Sequence, residues 1–416
     1  MNRIILIGNG FDLAHNLRTK YCHFIDKFWE NISKDFENRQ QTSFDNEFLS
    51  INANFSYSEN YSNYKLFKDR LKISNTQIKF KNRFLEIISE RSSLNNWVDI
   101  EEEYFQQARD IIQNKSQYYS DDKDKKAIEN LNEDFDKIKQ ELDKYLQDES
   151  IKKILINKSL KEIIYSNFNK KDFTEKGING LVEDVYQAHV VDCTLGSKLS
   201  YTEDARHNND DSFRASYLDD RDYINKEIRE GKMDLMPLKN ILFLNFNYTK
   251  TEMGYSEGED ILTQTIHIHG ELNNPNSPII FGYGDEQDER HKEIEKQGGD
   301  YLNNIKTINY LKTSNYKNLL SFIEGGQYQV FIMGHSCGLS DKTLLSTLFE
   351  HENCVSIKPF FHKWKDDDGI EHDDYEDKIK NIYRVFTNKT LMREKVVNKE
   401  WCKAFPISNK VRIGWC

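Results

Sequence analysis

Four short polar clusters in this 416-residue sequence carry side chains able to do chemistry, and each follows a run of apolar residues. The first is Gly8-Asn9-Gly10-Phe11-Asp12, where glycines let backbone N–H groups approach a phosphate beside the start of a helix. The second, Asn245-Phe246-Asn247-Tyr248-Thr249, offers an amide and a hydroxyl that can orient a water or a ribose hydroxyl. The third, His267-Ile268-His269-Gly270, places two imidazoles on one face of a strand, where a side chain titrating near neutrality serves as a general base. The fourth runs from Gly334-His335-Ser336-Cys337-Gly338 to Ser340-Asp341, with small and hydroxyl residues suited to nucleotide phosphates or riboses and an acid placed to cap the next helix.

Each cluster also has a plainer reading. Gly8 to Asp12 can be a tight turn with Asp12 as a helix cap, and the asparagines and threonine can be turn formers. The third glycine of the dinucleotide fingerprint is replaced by Leu13, which argues against a standard dehydrogenase. The run around Ser336 is spaced like a nucleophile elbow, but chain order leaves only His351, His362 and His372 as bases. Two histidines without a third ligand at a recognisable spacing do not make a metal site, and none is expected. Two weaker features are the acidic run at residues 96–102, with Asp99 and Glu101, and Gly282-Tyr283-Gly284-Asp285-Glu286.

The elements that must position these clusters are legible from pattern. Residues 3–7 read as a buried strand, and residues 11–28 as a helix. Strand-like runs return at residues 241–246, 265–269, 278–283, 329–333 and 355–361, with helix-compatible stretches at 301–324, 341–351 and 374–386. Strands alternating with helices predict an α/β fold with a Rossmann-like, mostly parallel sheet flanked by helices. Residues 31–232 change character: charged stretches such as 127–158 keep apolar residues at helical spacing, which predicts a large α-helical insertion. The core is then 1–30 plus 233–416, and the aperiodic residues 198–222 read as a long loop.

Composition bounds the partners. With 58 Lys+Arg against 69 Asp+Glu the net charge is −11, unsuited to a dedicated duplex-DNA groove. Aromatic residues make up 12%, too many for a disordered chain. No apolar run approaches the length of a membrane span, no signal peptide is visible, and the six cysteines are scattered, so a reducing cytoplasm is expected. The four clusters would meet at the carboxyl edge of the sheet and share one nucleotide cleft.

At these residues the chain resembles the bacteriophage abortive-infection AbiH family. Residues 8–24 (GNGFDLAHNLRTKYCHF), 246–252 (FNYTKTE), 267–272 (HIHGEL), 280–286 (IFGYGDE) and 334–341 (GHSCGLSD) look like its motifs in its order. The resemblance implies an antiphage effector that stops the infected cell. The motif order is also similar, more distantly, to sirtuin-like NAD-consuming domains. That likeness implies Gly8, Gly10, Gly334 and Ser336 around NAD as substrate; Asn9, Asp12 and Thr249 depart from its pattern and, with Asp341, are expected to line the nucleotide from the same clusters. The likeness makes Asn247 and His269 the catalytic pair of an NAD glycohydrolase. The alternatives are hydrolysis of another nucleotide or a nucleic-acid end, or a non-catalytic nucleotide sensor. The acidic helical region suits protein partners: a phage or host protein as trigger, and a second copy in a homo-oligomer.

Overall fold

The computed structural model describes residues 1–39, 43–52, 62–73, 76–95, 99–116, 118, 124–200, 221–231, 238–256, 261–286 and 289–406. Its centre is β1 (Asn2–Ile7), in which every residue is buried. A strand buried along its whole length is covered on both faces, which is the situation of a central parallel strand. β2 (Asn240–Asn245), β3 (Leu262–His267), β4 (Tyr328–Met333) and β5 (Cys354–Phe360) complete a five-stranded sheet. All its pairings are parallel, in the order β3-β2-β1-β4-β5. This is the doubly wound α/β arrangement expected from the sequence, and its order reverses between β1 and β4.

Alternation along the strands builds two separate cores. Ile4, Leu6, Leu242, Leu244, Val330 and Ile332 enter one, under the helices Asn315–Glu324, Lys342–Glu350 and Tyr375–Val385. Ile5, Ile7, Ile241, Phe243, Phe331 and Met333 enter the other, with Leu160 and Ile164 of the helix Lys158–Ile164. Arg3 is fully buried at this sheet, donating to the carbonyls of Ile164 (2.8 Å) and Ser166 (2.7 Å).

A third core belongs to the long segment between β1 and β2. The helices Tyr21–Arg39, Arg83–Asn95, Ile100–Ile112 and Asp124–Ser150 pack around Trp29, Phe84, Phe105 and Phe135. A small antiparallel sheet of Ser43–Asp45, Leu49–Asn52 and Ile78–Phe80 joins them. This core is shared with residues after β3: Phe135 stacks on Phe281 (5.1 Å) and Phe105 on Tyr283 (3.8 Å). The helix Tyr21–Arg39 runs through residue 30, and Phe24, Ile25 and Trp29 belong to this third core. Among the described residues no helix is long and apolar enough to cross a membrane.

Several elements differ from expectation. The stretch after Gly10 is two helices, Asn9–Ala14 and Tyr21–Arg39, because Asn16 takes a left-handed conformation (φ 65°) that ends the first. Residues 278–283 are irregular rather than a strand, held at Tyr283 by a single bridge to Ile305. Residues 301–324 break into short turns of helix before Asn315–Glu324. The ends of the expected loop at 198–222 lie in the helix Glu175–Ser200 and in a helix from residue 221; residues 201–220 are outside the described residues, as is the boundary at 232–237.

Candidate functional site

β1 and β4 lie side by side where the strand order reverses, so the turns that follow them, Gly8 to Gly10 and Gly334, are pressed together. A Cβ on Gly10 would lie 2.8 Å from the Gly334 Cα, and one on Gly334, whose φ is +80°, would lie 2.1 Å from the Phe11 nitrogen. These glycines let two backbones touch. Their amides are engaged: Gly8 donates to the Met333 carbonyl (3.3 Å), Gly10 to that of Gly334 (2.8 Å) and Phe11 to that of Gly8 (2.8 Å).

Beyond these turns opens a cavity of about 390 Å³ at the carboxyl edge of the sheet. Gly8, Asn9, Gly10, Asp12, Asn247, Thr249, His269, Gly334, Ser336 and Asp341 all line it, so the four clusters meet in one space. That space is large enough for much of a small ligand. Asn247 Nδ2 donates to the Gly8 carbonyl (3.0 Å), and Asn9 Oδ1 accepts from Thr19 (2.5 Å).

Two buried polar networks support the walls. In the first, Asp12 sits inside its helix rather than capping it, and accepts from the hydroxyls of Thr249 (2.6 Å) and Thr251 (2.7 Å). Burial pushes its carboxyl up to about 6 against those two hydrogen bonds. Next to it Glu252 is fully buried and accepts from Asn245 Nδ2 (2.6 Å) and His267 Nε2 (2.9 Å). Burial alone would depress the His267 imidazole, but Glu252 outweighs it and holds it above its ordinary range. The two histidines thus do different work, since His267 faces Glu252 while His269 lines the cavity.

The second network is ionic. Lys306, with no exposed surface, places Nζ 2.8 Å from Asp341 Oδ1 and 3.0 Å from Glu101 Oε2. Glu101 Oε1 accepts from the Gly282 amide (3.0 Å), and Asp341 also faces His269 Nε2 (3.1 Å) and His335 Nε2 (3.5 Å). Asp341 stands at the N-cap of Lys342–Glu350 without accepting a cap bond, because its carboxylate is turned to this cluster. Burial opposes its charge, yet Lys306 and His269 hold Asp341 well below the usual carboxylate range. Burial would strip the proton from Lys306, and the two carboxylates keep it on. Glu101 is shifted upward, burial outweighing Lys306, and His269 downward, by burial and the Lys306 charge. His269 is therefore neutral at pH 7. With Nε2–H given to Asp341, its Nδ1 is the basic atom.

Glu101, Lys306 and Tyr310, whose hydroxyl lies 3.2 Å from His269 Nε2, were not among the residues expected from sequence to form the site, and His335 was noted only as part of the fourth cluster. Glu101 is delivered by the helix Ile100–Ile112, whose first turn is fixed by Asp99 accepting from the Glu101 and Glu102 amides. The acidic run at 96–102 was its one signal, and residues 96–98 lie outside the described residues. Lys306 is the only charged residue of the stretch 301–311, with no motif around it, and opens the short helix Lys306–Asn309. Cys337 lies in the turn after β4 at φ 55°, with its thiol buried and pushed up to about 12, the opposite of an activated nucleophile. Among the described residues no group of three or more His, Cys, Asp or Glu is placed to hold a metal ion.

The family described as "Bacteriophage abortive infection AbiH" matches residues 4–363 of the chain. No curated protein and no solved structure shows a significant match.

Proposed function

The chain belongs to the bacteriophage abortive infection AbiH family, and from that premise we propose that it is a defence effector that cleaves the nicotinamide–ribose bond of NAD. The observation that carries this reading is the sign of one part of the cavity wall: Asp12, Asp99, Glu101 and Asp341 line it, with a single buried cation, Lys306, between Glu101 and Asp341. An acid-rich wall favours a cationic pyridinium and the oxocarbenium-like charge that grows on the ribose as the bond breaks. Asn247 then orients the attacking water or ribose, and neutral His269 takes its proton at Nδ1, with Asp341 steadying the imidazolium. Nicotinamide leaves without needing a proton.

A second reading has its own observation. Asp12 and Glu101 are buried carboxyls with raised proton affinity on the cavity wall. A purine base, unlike nicotinamide, must be protonated to leave, so these groups favour another nucleotide as substrate. Purified protein incubated with NAD and with a panel of purine nucleotides, followed by chromatography of the released bases, separates the two. Asn247→Ala and His269→Ala should each lower release by about 10²-fold or more. Full activity in either variant would remove that residue from the mechanism. In cells, NAD falling after phage infection in the wild type but not in the double variant would tie the chemistry to defence. A trigger from a phage or host protein, and assembly of copies, fit such an effector.

A further inference from the structure

Three basic side chains also line the cavity. They are Lys20, His362 and Lys378, and none belongs to the four polar clusters. Lys378 is buried on the helix Tyr375–Val385; its three ammonium protons find, among the described residues, Asp374 Oδ2 at 3.2 Å and the His335 carbonyl at 3.4 Å, both long contacts. Asp374 also braces His362, accepting from its amide at 2.6 Å and donating its own amide back at 3.1 Å. The His362 ring is fixed by stacking on Trp364 (5.6 Å, 8°). Burial and the fields of Lys378 and Lys20 keep that ring neutral, with Asp374 opposing them. Among the described residues this part of the wall therefore brings Lys20, Lys378 and Asp374 beside an imidazole able to take up a proton.

We propose that Lys20, Lys378 and His362 bind the phosphate groups of the nucleotide, in place of the glycine turn. The glycine turn is poorly equipped, because the Gly8, Gly10 and Phe11 amides already donate to carbonyls and the helix behind them has six residues. The inference rests on the reading of this cavity as a nucleotide site. It sets the ligand's direction: phosphates toward β5, ribose toward Asn247 and His269. An arriving anion stabilises the charged form of His362, so binding takes up a proton.

The test is calorimetric titration of the full chain with ADP-ribose, which has no nicotinamide–ribose bond and whose diphosphate keeps its charge through the range used. Adenosine is the control without phosphate. Lys20→Gln and Lys378→Gln should each weaken ADP-ribose binding by about tenfold, the scale of one charge-assisted hydrogen bond. Asp374→Asn should tighten it, a sign that a merely structural loss would not give. Affinity should be several-fold higher near about pH 6 than about pH 8, and His362→Gln should flatten that dependence. Lys20 is only partly buried, so its variant keeps the test valid if Lys378→Gln fails to fold. Unchanged affinity in Lys20→Gln and Lys378→Gln, or ADP-ribose binding no better than adenosine, overturns the assignment. A protein inert toward NAD can still pass this test, and an active one can fail it.

Discussion

Replacing Lys306 by Met should leave two buried carboxylates without their shared cation. At an effective dielectric of about 20, a contact near 3 Å is worth about 5 kcal/mol before desolvation is charged against it, and breaking such a buried pair costs about 3–5 kcal/mol in measured cases. Lys306 has two such contacts, at 2.8 and 3.0 Å, and no exposed surface, so the upper part of that range is expected. The deficit must also depend on pH. Without Lys306, Glu101 and Asp341 repel each other, and both fold with pKa values above their unfolded values near about 4. A group raised in this way favours folding at low pH and loses that contribution as pH rises through its folded value. The deficit should therefore be smallest near about pH 5 and largest near about pH 8, read from urea unfolding at each pH. The triple variant Glu101→Gln, Lys306→Met, Asp341→Asn removes all three charges and should recover most of the loss. A deficit under about 1 kcal/mol at the higher pH, or a triple variant no more stable than the single one, would refute the reasoning.

Asp12→Asn should remove a slope from the stability curve. The folded carboxyl titrates at about 6 and the unfolded one near about 4, so wild-type stability falls as pH rises between them, by about 3 kcal/mol relative to the variant. Parallel curves from chemical unfolding at several pH values would sink this account. Gly334→Ala should cost more than about 3 kcal/mol in thermal or urea unfolding, through its positive φ and the 2.1 Å approach to Phe11. Gly298→Ala, which meets nothing within 4 Å, should behave as wild type.

The sheet was legible because most of its strands carry an apolar run and the clusters recur just after these runs, a pattern that a covered parallel sheet explains. Gly8, Asn247, His269 and Gly334 could be placed on one edge for the same reason. Pattern failed where tertiary contacts decide conformation. Residues 278–283 look like a strand, but their apolar side chains Phe281 and Tyr283 are spent on Phe135 and Phe105 of the insertion. Asp341 looks like a helix cap, and a buried lysine 35 residues earlier in the chain claims its carboxylate instead. Nothing local distinguishes Lys306 from the other lysines around it. Its role exists only where Glu101 arrives from the opposite side.

That arrival has a consequence for how the site is held. Glu101 belongs to the segment between β1 and β2, while Lys306, Asp341 and His269 belong to the segment after β2. Any motion that lifts the helix Ile100–Ile112 from Tyr283 withdraws one counter-charge from Lys306 and opens the cavity wall to water. The ammonium then leans wholly on Asp341, which has less charge left to steady an imidazolium at His269. Docking of the insertion and basicity at the sheet edge are thus linked through one lysine, and linkage is reciprocal: a ligand that draws a proton to His269 while leaving Glu101 ionised tightens the insertion against the core.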